Sequence, residues 1–201
     1  MSFDCRTCHC TDRKPKTEMK AVEREESIDY VTYEEGREAF RARVLAAKAA
    51  RRIHVGEYLT LLFENHLTVQ YQIQEMIRTE RIVKEADILH EIKTYNELIG
   101  EVGELGCTLL IEIDDATHRA EKLKAWVKLP DNIYLKFEDG SKAFAQIDER
   151  QREEGKLSSV QFLKFNTNGQ VPVAVGIDYH DLSAETILNY EQRNALGEDL
   201  T

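Results

Sequence analysis

Apolar residues recur along this chain in two rhythms, and the rhythm changes near its middle. Up to about residue 100 they return at helical spacing, three and four positions apart. Tyr33 to Arg52 is rich in Ala, Arg and Glu, which are good helix formers, with Phe40, Val44 and Ala47 as its inner stripe. Thr32 and Glu35 have capping-box spacing, which places the helix start at Thr32. Gly56 interrupts the pattern, and the short apolar run 58–63 (YLTLLF) reads as a strand. The next stretch fits both rhythms. Leu67, Val69, Tyr71 and Ile73 alternate with polar residues, while Val69, Ile73, Met76 and Ile77 share a helix face. Alternation fails at Glu75, where two apolar residues follow, so a helix from about Thr68 to Ile82 is the better reading. A further helix is expected from Lys84 to Ile99, with Ile88, Ile92, Tyr95 and Ile99 inward and Gly100 as its stop.

Beyond residue 100 short strands dominate. CTLLIEI (107–113) reads as a buried strand, and 115–127 as a helix capped by Asp115 and ended before Pro130. Ile133–Phe137 and Ala143–Ile147 flank Asp139-Gly140, a hairpin signal. Val160–Phe165 and Val173–Tyr179 look like a second pair, joined by a loop with Asn168-Gly169. Ser183 is expected to cap a last helix in which Ala184, Ile187, Leu188 and Leu196 share a face. The predicted class is α+β: N-terminal helices, a mostly antiparallel sheet of about five strands, and a C-terminal helix. Residues 1–26 have no sustained period and read as a flexible arm, with 27–201 as a single domain.

Composition narrows the function. The 201 residues hold 27 Lys and Arg against 37 Asp and Glu, a net charge of −10 that argues against phosphate-backbone binding. In residues 1–16, Arg6, Arg13, Lys14 and Lys16 outnumber Asp4 and Asp12, so this tail is +2 and the remainder −12. No apolar run approaches the ~18 residues of a membrane span, and residues 1–30 lack the apolar core of a secretory peptide. A cytoplasmic, reducing setting is therefore expected.

Three of the four cysteines, Cys5, Cys8 and Cys10, lie in the arm. The two-residue gap lets two thiolates grip one ion, Cys10 adds a third sulfur, and the neighbouring cations favour the thiolate forms. Zinc or iron is the expected cofactor. The fourth ligand is open among His9, Asp12, Cys107 and a second chain. The letters Cys5-x-x-Cys8-His9 also match covalent haem attachment, which needs export. The bland alternative is a tail with incidental thiols.

A second set comprises Glu75, Arg78, Glu80 and Glu112. Glu80 shares a wheel sector with Val69, Ile73 and Ile77, and Glu112 sits within LIEI, so both are expected to be buried carboxylates. Arg43, Arg51, Arg52, Arg78 and Arg81 are available partners, and a structural ion-pair network is favoured over catalysis. A carboxylate-bridged di-metal centre uses Glu-x-x-His pairs. Glu75-x-x-Arg78 has the spacing with the wrong residue, and Asp87-x-x-His90 is a single pair. Residues 37–52 carry a net +5, expected to meet the acidic remainder or solvent. Gln70, Gln72 and Gln74 could read a ligand through their amides, though a helix does not put all three on one face. Trp126 and Tyr134 read as core aromatics, and no P-loop, GxGxxG, GxSxG or HExxH is present.

Several segments together resemble a bacterial family catalogued only as a domain of unknown function: FRARVLAAKAARR (40–52), LTLLFEN (59–65), TVQYQIQEMIRTERI (68–82), YNELI (95–99) and TLLIEI (108–113), with SVQFLKF (159–165) and GIDYH (176–180) similar in type. The resemblance implies a compact, soluble bacterial protein without an assigned reaction, with redox and iron-handling neighbours. The chain departs from the family pattern in its cysteine-bearing arm, in Gly100 where a proline often stands, and in the position of His180. Three functions follow as expectations: an accessory protein that binds metal or exchanges thiols through its arm, a homodimeric or protein-binding module with an inert arm, and a metal-dependent enzyme built on the carboxylates.

Overall fold

The computed structural model describes residues 21–151, 155–180 and 182–201. Three helices lead: α1 (Tyr30–Ala49), then, after strands β1 (Arg52–Val55) and β2 (Leu59–Glu64), α2 (His66–Glu80) and α3 (Glu85–Asn96). Then come β3 (Glu104–Ile111), α4 (Ala116–Ala125), β4 (Ile133–Lys136), β5 (Lys142–Phe144), β6 (Gln146–Ile147), β7 (Val160–Asn166), β8 (Ala174–Tyr179), β9 (Leu182–Ile187) and α5 (Tyr190–Glu198). The class is α+β with a closing helix. Instead of one sheet of about five strands, the described strands form two antiparallel sheets, ordered β1-β2-β3-β7-β6 and β5-β4-β8-β9.

The sheets share one core. Leu59, Leu61 and Phe63 on β2 alternate inward with Leu105, Cys107 and Leu109 on β3 and Leu163 and Phe165 on β7. They meet Ile133, Leu135, Val175 and Ile177 of the second sheet. The chain passes between sheets at Ala145, whose amide bonds to Ile133 O, and the opposite edges touch where the Thr186 hydroxyl donates to His54 O. The outer face of the first sheet carries even-numbered residues, and α2 meets it at Glu64. At Gly106 an added Cβ would stand 1.8 Å from Leu98 O, so β3 needs glycine where the chain leaving α3 crosses it.

The ambiguous stretch at 67–82 is a helix. Asn65 and Thr68 cap it reciprocally, and Val69, Ile73 and Ile77 are wholly buried. Other boundaries differ from expectation. Asp29, not Thr32, caps α1, accepting from the amides of Val31 and Thr32. β1 was not foreseen, because only Ile53 and Val55 of its four residues face inward. Residues 160–165 and 173–179 do not pair. β7 joins β3 and β6, and β8 joins β4 and β9. The segment from Leu182 is strand β9, with alternating half-buried and exposed residues, and the last helix is capped six residues after Ser183, by an Asn189–Gln192 capping box. Its Ala184–Ile187–Leu188 spacing is coincidental, since period 2 also places Leu182, Ala184 and Thr186 on one side. No helix among the described residues is long and apolar enough to cross a membrane.

Candidate functional site

The chain from residue 21 to 28, most of it expected to belong to the arm, lies across α2 and α3 as a strap. Val22 is 2% exposed and joins a second apolar cluster with Ile73, Ile88, Ile92 and Ile99. Side-chain amides hold the strap's backbone. Val22 N donates to Asn96 Oδ1 at 2.9 Å while Asn96 Nδ2 donates to Val22 O at 3.0 Å. Gln74 grips Ile28 the same way, at 2.7 and 3.1 Å. Each clamp satisfies a peptide group as a neighbouring strand does. Gln70 Nε2 donates to Glu26 O, His66 Nε2 lies 3.1 Å from Glu26 Oε2, and Arg24 makes a bidentate pair with Glu85. Gln70 and Gln74 share a face one turn apart, whereas Gln72 points away to Glu64. The ligand of these glutamines is the chain itself.

The predicted carboxylate set is divided. Glu75 accepts from Arg37 (2.8 and 2.9 Å), the Tyr33 hydroxyl (2.8 Å) and Arg78 (3.2 Å). Hydrogen bonding from Arg37, before that from Tyr33 and Arg78, holds its carboxyl down to about 2, and burial beside it pushes the Tyr33 phenol up. An ion-pair network is thus present, but it centres on Glu75 and Arg37 and not on the Glu80 and Glu112 for which one was expected. Glu80 and Glu112, expected to be buried, are exposed. Glu80 occupies the last residue of α2, past the apolar packing. Glu112 lies beyond the end of β3, where it accepts from Arg52 at 2.9 Å and from the Thr60 hydroxyl, which also contacts His54 Nδ1 at 2.8 Å. Asp87 and His90 are exposed on α3.

Among the described residues the buried carboxylates are Glu64 and Asp199, which sequence spacing did not single out. Glu64, 1% exposed, accepts from Thr68 (2.6 Å), Thr108 (2.8 Å) and Gln72 (3.0 Å). Asp199 takes a bidentate pair from Arg51, at 2.6 and 2.8 Å, and a bond from Asn65. Of the basic stretch 37–52, Arg37, Arg51 and Arg52 therefore meet acidic partners. Cys107 is buried as expected, and burial, followed by the nearby Glu64 charge, pushes its thiol well above the usual range. Cys5, Cys8, His9, Cys10 and Asp12 lie outside the described residues. Among the described residues no group of three or more His, Cys, Asp or Glu is arranged to hold a metal ion.

Beside the strap, the residues flanking Asn96 line a groove of about 580 Å³ between the end of α3 and strands β6 and β7. Tyr95, Leu98, Ile147 and Phe162 supply its apolar wall, and Arg150, paired with Asp148 and Glu97, its polar rim. A third amide clamp closes the strand edge here. Gln151 holds both Phe162 N, at 2.7 Å, and Phe162 O, at 3.1 Å. Such clamps leave no trace in apolar periodicity. The i, i+4 spacing of Gln70 and Gln74 is the one signal the sequence offers.

A family profile described as "Protein of unknown function (DUF3501)" matches residues 21–200. The cysteine-bearing residues 1–20 fall outside that match. A crystal structure described as a novel protein of unknown function from Burkholderia pseudomallei K96243 is similar over 90% of this chain and 100% of its own, at 28% identity and a TM-score of 0.83. No curated protein matches.

Proposed function

The chain belongs to the DUF3501 family of proteins of unknown function, and from that premise we propose that this member is a non-catalytic bacterial accessory protein whose α+β body carries a metal-binding arm. Cys5, Cys8 and Cys10 take zinc or iron, with His9 or Asp12 completing the set. Soft thiolates within six residues suit these ions, and Arg6, Arg13 and Lys14 favour the deprotonated sulfurs. A reducing cytoplasm is the setting in which such thiols stay available.

The observation that carries this reading is the strap. Val22 and Ile28 are each held at both backbone polar groups, so the chain that directly follows the cysteine segment has a fixed place on α2 and α3. Cys107 is withdrawn from the ligand set because a wholly buried, protonated thiol in β3 is a poor ligand. The enzyme reading is weaker. Glu75 is neutralised by Arg37 and Arg78, Glu112 by Arg52 at a separate place, and Glu80 is exposed at the end of α2.

Metal analysis of the purified, untagged chain tests the proposal. Zinc or iron is expected to co-purify, to be lost in the Cys5→Ser, Cys8→Ser, Cys10→Ser triple variant, and to shield three thiols from alkylation until a chelator is added. Equal reactivity of those thiols with and without chelator after metal loading overturns it in favour of an interaction module with an inert arm. Metal retained by the triple variant overturns it in favour of a site in the body.

A further inference from the structure

Helix α1 carries two seams on opposite sides. The inner seam, Tyr33, Arg37, Phe40, Val44 and Ala47, packs on α2. Two residues out of phase, and so about 200° around a helix, runs the outer seam: Val31, Glu35, Glu38, Ala42, Leu45 and Ala49. It has the alternating four- and three-residue steps of a helix-pairing face. Every one of these six residues is exposed, Val31 at 59% and Leu45 at 49%.

Charge along this face is split by position. The amino-terminal half presents Glu34, Glu35 and Glu38, and the carboxy-terminal half presents Arg41 and Arg43, with half-buried Lys48 behind them. Arg37, the cation within the acidic half, is half-buried and paired with Glu75, and it also reaches Glu38 at 3.2 Å. Glu34 lies 3.8 Å from Arg78, which leaves Glu35 as the carboxylate of this face without an ion pair among the described residues. One helix thus displays both members of a complementary pair, and the exposed positions of the basic half are otherwise Ala42, Leu45, Ala46 and Ala49, small or apolar residues that another helix can approach.

We propose that the outer face of α1 is a self-association surface, on which a second copy of this chain packs its own α1 antiparallel, about a two-fold axis that crosses the outer face midway between Glu38 and Ala42. In that arrangement Glu38 faces the partner's Ala42, with Arg41 beside it and Arg43 over the Phe40 ring behind, Glu35 faces the partner's Leu45, and Val31 faces the partner's Ala49. The contact is isologous, so each favourable pairing occurs twice. Parallel packing would set carboxylates on carboxylates and guanidiniums on guanidiniums. Antiparallel packing also opposes the helix dipoles. A single helix pair falls below the ~1,200–2,000 Å² of standard interfaces, so the dimer is weak and salt-sensitive.

The test is sedimentation of the full chain with reductant and chelator, which silences association through the arm and keeps this proposal independent of the metal reading. Two charge-reversed variants are compared: Glu35→Lys with Glu38→Lys, and Arg41→Glu with Arg43→Glu. All four positions are exposed, and each variant is checked for an unchanged thermal transition. Wild type is expected to dimerise in the micromolar range, more weakly at high salt. Each variant should lose self-association by at least about tenfold, since like charges then oppose across the axis. An equimolar mixture of the two should dimerise again, because each supplies the charge the other lost. A wild type that stays monomeric overturns the proposal. So does a dimer that both reversals leave intact, or a mixture that stays monomeric.

Discussion

Between the two sheets, Leu61, Phe63, Leu105, Leu109 and Phe165 are wholly buried in one apolar cluster. Across α1, α2 and α3 the apolar cluster is smaller, and amides and ion pairs run beside it: Asn96 on Val22, Gln74 on Ile28, Arg37 on Glu75. The difference is one of directionality. Burial of apolar area is non-directional and supplies bulk stability. A bidentate amide or guanidinium contact adds little net energy, but only one geometry satisfies it. The β body therefore sets how stable the protein is, and the helical layer sets where one particular segment of chain lies.

The largest expected effect tests the first half of that contrast. Phe165→Ala should cost about 3–5 kcal/mol through lost burial and the cavity left behind. It should appear as a lower urea midpoint for the whole cooperative transition. A loss confined to one spectroscopic probe would show that the sheets and helices unfold separately.

A middle-sized effect concerns acid. The Glu75 carboxyl lies near 2 in the folded protein, while an unfolded glutamate lies near ~4.3. A depressed carboxyl contributes stability above its unfolded value and loses it as pH falls toward the folded one. Wild type should therefore weaken between pH 5 and about 2 more steeply than Glu75→Gln, as followed by urea midpoints at several pH values. Parallel curves for the two proteins would mean that the Arg37–Glu75 pair contributes nothing.

The smallest effect is local. Asn96→Ala and Gln74→Ala each remove two hydrogen bonds, worth about 1 kcal/mol apiece at most. The amides of Val22 and Ile28 should exchange with solvent faster, while the global midpoint barely moves. A global loss as large as that of Phe165→Ala would erase the distinction between the two regions. Truncation sharpens it further. Removing residues 1–20 should be neutral, whereas removing 1–26 uncovers Ile88, Ile92 and Ile99.

Much of the fold was legible from the chain alone. The stripes of α2 and α3, the Asp115 cap and the Asp139-Gly140 turn each rest on residues within a few positions of one another. At 67–82 local spacing fitted both periods and only leaned to helix, where Glu75 broke the alternation; the structure decided it. The same reasoning misplaced the Leu182 segment, whose short apolar pattern suits either period, and it buried Glu80 and Glu112, because a wheel shows direction without showing where the neighbouring element ends. Of the candidate site, the Glu75–Arg78 neighbourhood and the Gln70–Gln74 spacing were legible, while the cysteine spacing belongs to residues outside those described.

What the sequence determined by itself was the class, most element types and the Asp139-Gly140 hairpin turn. What only the tertiary structure decided was which distant residues meet: β7 beside β3 and not β8, Arg51 against Asp199, Asn96 on Val22 across 74 positions. Periodicity is a property of neighbouring residues and survives in a one-dimensional record. A hydrogen bond between remote side chain and backbone is chosen by the packing of everything between them, and no spacing rule along the chain carries it.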